Sequence, residues 1–164
     1  MGKEQLITKL KKGSMCITAF CLLAMLCNLA AAIIPPLLTE HNRTYVGNIK
    51  IAIDMLTKIS LCRRSVSSFI LAAVMLLAAL MFFRIAKDGM PFSMKNAKTV
   101  RIISYLFLLN VIAPSAAVYA ICRSGPDTVA ASNLSALMEG LLFLFIAHII
   151  RYGAMLQQES DETL

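Results

Sequence analysis

Four stretches of this chain run for about twenty residues with almost no charge, and they limit its fold more than any other feature. Residues 13–39, 65–83 and 102–122 carry no formal charge, and 128–150 is interrupted by the charge of Glu139 alone, His148 being counted neutral. About twenty helical residues cross a hydrocarbon core of roughly 30 Å. A soluble bundle would need a wet face on each helix, and FILAAVMLLAALMFF (69–83) offers none. A hydrophobic share of 59%, a charged share of 15% and a mean hydropathy of +0.74 fit the same solvent. The expected fold class is all-α: a polytopic membrane protein, one domain over 1–164, with four transmembrane helices at about 15–37, 65–85, 100–122 and 132–152.

The formal net charge is +7. Its bases gather at the span ends, where anionic headgroups and positive-inside placement account for them. No zinc-finger spacing, basic helix or aromatic–basic ladder accompanies them, so the expected partner is the lipid bilayer and no direct nucleic acid. With the amino terminus inside, the leader holds four Lys/Arg, the hinge at 84–101 five, and Arg151 one. The other side holds Arg43, Lys50, Lys58, Arg63, Arg64 and Arg123. Ten against six predicts a multi-pass plasma membrane protein with both termini cytoplasmic.

Residues 1–12 with the apolar run behind them imitate a signal peptide, but the run outlasts a usual signal core and reads as an uncleaved first span. Pro35-Pro36 is expected to end or kink that span near the far surface, because proline lacks a donor and crowds the preceding turn. In 47–61, Ile49, Ala52, Ile53, Leu56 and Ile59 recur at helical spacing beside a Lys50–Asp54–Lys58 stripe. This predicts an amphipathic helix in the first outer loop, or else an aqueous extension of span two. Ala113/Ala117 and Ala116/Ala120 suggest close helix contact on span three, and Gly140 with Ala136 does so on span four. The tail QQESDETL reads as wet or disordered.

Few residues promise chemistry. Glu139 interrupts an apolar span, so it is either an intramembrane proton or cation ligand or an acid near the outer interface. Asn110, like Asn28, suits interhelical hydrogen bonding. His148 and Arg151 share a face near the inner end of span four, where interface anchoring competes with a pH-responsive role. Cys62 and Cys122 both fall near the outer surface, where a disulfide is geometrically allowed. No CxxC pair, phosphate loop, HExxH or nucleophile elbow occurs, so neither an enzyme nor a cofactor is expected. In the hinge, Gly89 relaxes a turn, Pro91 fixes its φ, Ser93 caps the incoming helix and Phe92 packs at the interface.

Two segments carry a resemblance. DGMPFSMKNAKTVRIISYLFLL and EGLLFLFIAHIIRYGAMLQQESDETL resemble a family of small four-span bacterial membrane proteins classed as a domain of unknown function. Its Gly-x-Pro-Phe turn, with a following Asn and bases, corresponds here to Gly89, Pro91, Phe92, Asn96, Lys98 and Arg101. Its closing Arg-x-Gly-x-x-Leu-Gln segment corresponds to Arg151, Gly153, Leu156 and Gln157, before Glu159, Asp161 and Glu162. The end Glu162-Thr163-Leu164 is shorter than the apolar strip common in the family. The resemblance implies a membrane partner of a small helix-turn-helix regulator, and supplies no catalytic residues.

The expected function is thus a non-enzymatic integral membrane protein, a regulatory, stress-response or immunity component with a cytoplasmic partner. The alternative is a small transporter or channel component built on Glu139, Asn110 and Tyr119. Four spans make a narrow protomer, so that alternative implies a homo-oligomer.

Overall fold

The computed structural model describes residues 3–41, 49–122 and 134–162, with side chains over 5–36, 57–121, 134–160 and 162. All regular structure among them is helical: α1 (Lys3–His41), α2 (Ile49–Asp88), α3 (Met94–Cys122) and α4 (Leu134–Glu162). Each contains a stretch long and apolar enough to cross a membrane, namely Gln5–Pro36, Thr57–Asp88, Met94–Ile121 and Leu134–Ser160. The chain is a helical membrane protein of the multi-pass kind.

Helices pack in chain order, α1 on α2, α2 on α3 and α3 on α4, and the outer pair form no packed interface among the described residues. The two inner helices are accordingly the more buried, α3 most of all. Its buried face joins Val74 of α2 through Ile103 and Phe107, with Leu71, Leu77 and Phe143 packed around them. The Phe107 and Phe143 rings stack at 5.3 Å with 9° between their planes. Large apolar side chains elsewhere point outward, Phe20 at 70%, Ile112 at 68% and Phe145 at 67% exposure. Such surfaces belong in acyl chains, not in water.

The helices outrun the expected spans, and three sequence expectations change. First, α1 does not stop at Pro35-Pro36. Pro36 cannot donate to the carbonyl of Ala32, four residues earlier, and the Ser65 hydroxyl of α2 donates to that carbonyl instead, at 2.9 Å. A neighbouring helix thus satisfies the group that proline frees. Second, of the two readings of the amphipathic segment, the extension of span two is the one found: the segment is helical from Ile49 and forms the first turns of α2. Neither Gly nor Pro occurs between residues 49 and 88, so nothing in the chain breaks the helix before Gly89. Residues 47–48 lie outside the described residues. At 1.5 Å per residue, 49–64 lengthen α2 by about 24 Å ahead of the expected span at 65–85. Third, the tail continues α4 as far as Glu162.

Small residues bring α3 and α4 together, as lipid supplies no hydrophobic force between spans. Ala136, Gly140 and Ala147 form the buried side of α4. A Cβ on Gly140 would lie 2.8 Å from Leu108 Cδ2 and 3.3 Å from the Leu108 backbone nitrogen. In that contact the fully buried Ser104 donates to the Gly140 carbonyl at 2.8 Å. Of the alanine pairs of span three, Ala116 and Ala120 are exposed, and Ala113 and Ala117 are half-buried. Asn28 turns its amide on its own helix, donating to Ala24 at 2.8 Å, rather than bridging to a neighbour. Cys122 of the Cys62–Cys122 pair lies outside the residues whose side chains are described.

Gly140→Val should therefore force α3 and α4 apart, lowering stability in detergent by about 1–3 kcal/mol. Gly13→Ala, where nothing lies within 4 Å of the new methyl, should raise it by about 0.5–1 kcal/mol. Thermal unfolding of the two purified variants checks both signs.

Candidate functional site at the helical hinge

Five residues, Gly89 to Ser93, connect α2 to α3. Gly89 ends α2 in the left-handed region, with φ 71, its N–H donating to the Ile85 carbonyl at 2.8 Å. A side chain there would cost about 1–2 kcal/mol. The missing side chain has a second use. A Cβ on Gly89 would meet Lys11 Cε at 3.0 Å and Ile7 Cγ2 at 3.4 Å, so α1 leans on the turn. Lys11 Nζ then lies near the carbonyl end of α2, where a cation opposes the negative end of the helix dipole.

Ser93 caps α3. Its hydroxyl oxygen accepts from the Asn96 N–H at 3.2 Å and its carbonyl accepts from Ala97 at 3.0 Å. Asn96, 2% exposed, reaches back over the turn and donates to the carbonyls of Met90 at 3.3 Å and Pro91 at 3.1 Å. These bonds fix the turn that Pro91 begins, while Asn96 Oδ1 stays buried without a protein partner. A turn further on, Arg84 Nη1 donates to Thr99 Oγ1 at 3.1 Å, and Thr99 donates to the Lys95 carbonyl at 3.0 Å. The last turn of α2 is thereby joined to the first turns of α3.

The fourth helix joins through Phe92. A Cβ on Gly153 would lie 2.7 Å from Phe92 Cδ1 and 3.2 Å from Cγ, so the ring rests on α4 where a side chain is missing. The two segments that carry the family resemblance, far apart in sequence, meet here. Of the residues read from sequence, Gly89, Pro91, Phe92 and Asn96 form one unit, and Arg151 flanks it two residues from Gly153. Arg151 is exposed and Arg101 half-buried.

Glu139, Asn110 and His148 are not part of this unit. Asn110 is 4% exposed with Oδ1 unpartnered, whereas Tyr119, nine residues on and so about half a turn round the helix, is 61% exposed. Glu139 is exposed on α4, one helical turn from Phe143 and twelve residues, about 18 Å of rise, from Arg151. His148 is exposed, and its Nδ1 donates to the Leu144 carbonyl at 2.8 Å. Glu139, His148 and Tyr119 thus face outward, whereas Asn110 is buried. Among the described residues no three His, Cys, Asp or Glu side chains gather as a metal site requires.

The hinge geometry ties the ends of four helices into one face. Comparison with known families agrees in extent. The family model described as "Protein of unknown function (DUF2975)" matches residues 57–164, more than half of the chain, and the protein belongs to that family. The match takes in the hinge and the tail and leaves α1 outside it. No curated protein and no solved structure matches.

Sequence reasoning missed the Phe92–Gly153 contact. Both residues fall in the segments that carry the family resemblance, but a glycine inside an otherwise helical run reads only as a weak point until its partner is known. Gly153→Val should displace the ring and cost about 1–2 kcal/mol. Phe92→Ala in the same chain should restore at least half of that loss. Strict additivity in the double-mutant cycle, followed by thermal unfolding, would mean that the ring does not rest on Gly153.

Proposed function

We propose that this protein is a non-enzymatic membrane component that docks a cytoplasmic regulatory protein through its tail helix, with both termini on the cytoplasmic side of the plasma membrane. The Phe92–Gly153 contact carries the reading. It fixes α4 against the hinge, and beyond it α4 continues as helix for nine more residues, about 13 Å. That projection exposes Met155 at 43% and Leu156 at 47%. It ends in acids, with Gln158 Nε2 donating to Glu162 Oε1 at 3.0 Å. A helix projecting from a rigid base with apolar and acidic positions suits a partner with a basic-rimmed groove. The charge bias of the loops supports the orientation. The regulatory, stress-response and immunity roles share this docking step.

Glu139 supports a second reading, a transporter or channel component. An exposed carboxylate about 18 Å along the span from Arg151 is costly in acyl chains, so a homo-oligomer that covers it would be favoured.

Mild crosslinking and affinity capture in detergent test the first reading. The intact chain should repeatedly retain one cytoplasmic protein. Leu156→Ser with Glu162→Lys should lose it while membrane insertion is unchanged, and repeated recovery of no such protein overturns the model. For the second reading, reconstituted vesicles should show a pH-dependent ion flux that Glu139→Gln abolishes; a flux indifferent to that change removes the carboxylate role.

A further inference from the structure

The fold collects at one level bases that the sequence scatters from residue 11 to residue 151. Lys11 of α1 lies against Gly89, and Arg84 and Lys87 belong to the last turns of α2. Lys95 and Lys98 open α3, and Arg151 precedes the Gly153 on which Phe92 rests. All but Lys11 are exposed, and Lys11 is half-buried. The acid that the hinge itself brings to this level is Asp88. The tail acids start at Glu159, six residues or about 9 Å past Gly153.

Apolar side chains lie among these bases. Met90 is 56% exposed, Phe92 46% and Met94 44%, on a turn at the very ends of two apolar spans. A soluble polyanion would answer the charge but leave these side chains in water. A leaflet answers both, as methionine and phenylalanine enter the acyl boundary while ammonium and guanidinium groups meet phosphate.

We propose that the hinge is a binding surface for anionic phospholipid, with Lys87, Lys95 and Lys98 on headgroup phosphates and Met90, Phe92 and Met94 in the acyl boundary beside them. The hydrogen-bonded turn holds these residues in place before any lipid arrives: Asn96 and Ser93 fix its backbone, and Arg84 retains free guanidinium donors after its bond to Thr99. The site is independent of the tail docking proposed above, because the three lysines lie on α2 and α3.

The test uses the full chain in a neutral detergent and follows thermal unfolding with added phosphatidylglycerol, phosphatidylcholine, or glycerol phosphate as the soluble headgroup. Phosphatidylglycerol should raise the midpoint clearly more than phosphatidylcholine, and glycerol phosphate should do little. Lys87→Gln/Lys95→Gln/Lys98→Gln, all at exposed positions, should unfold at the parental midpoint without lipid and lose at least half of the phosphatidylglycerol shift. Native mass spectrometry of the same samples should show fewer retained anionic lipids on the triple variant, a readout that does not depend on its stability. Equal shifts from the two lipids, or an undiminished shift and lipid count in the triple variant, overturn the proposal. A glycerol phosphate shift matching that of the lipid would assign the bases to a soluble phosphate and overturn it equally. Glu162→Lys should leave the lipid response intact, so a failure here stands apart from a failure of partner capture.

Discussion

In hydrocarbon no water replaces a missing donor, and an unpaired carbonyl costs several kcal/mol. Much of this structure follows from that constraint. It makes the spans helical. It also decides what happens at Pro36, where a soluble helix could end and let solvent take the freed carbonyl. Here Ser65 of the neighbouring helix takes it, and α1 runs on. One hydroxyl therefore does two things: it preserves the helix and ties α1 to α2. Ser104 does the second of these for α3 and α4, at a carbonyl laid open by a glycine.

The hinge solves the same problem with different groups. Two helices end there, and their loose carbonyls and N–H groups must be satisfied at the edge of the membrane. Gly89 turns the chain at little steric cost, Ser93 accepts from the start of α3, and Asn96 bonds the two carbonyls of the turn itself. A turn closed in this way is rigid enough for other helices to use as a stop. α1 meets it at Gly89 and α4 at Phe92, each at a point where a glycine leaves room. Order at this end of the molecule thus spreads outward from a five-residue link.

The four spans could be read from the chain because length and lack of charge suffice for that, and part of the hinge could be read because Gly, Pro and Ser have strong local preferences; Asn96 was marked by the family resemblance alone, and its bonds to the turn carbonyls were not foreseen. What could not be read were the partners. Pro35-Pro36 signals a break unless Ser65 is known to lie opposite Ala32, and that is a fact of register between helices. The alanine pairs of span three had the spacing for close packing, yet Ala116 and Ala120 are exposed, because spacing identifies a face and not its neighbour. Nothing separated the amphipathic turns of α2 from its span, since a polar stripe changes the solvent of a helix without ending it. The tail, expected to be wet or disordered, is exposed and yet helical for the same reason: acids remove it from the membrane without ending the helix. Gly153 shows the limit most plainly, since its purpose lies in a ring sixty-one positions earlier in the sequence.

The continuity of α4 has a mechanical consequence. From Leu134 to Glu162 it is one unbroken rod, and the hinge touches it at Gly153. Glu139 stands about 21 Å to one side of that point and Glu162 about 13 Å to the other. Because Ser104 also ties Gly140 to α3, about 20 Å from Gly153, the rod is clamped at two points, and its acidic end is a short cantilever on which a sideways pull bends the last nine residues before it tilts the span.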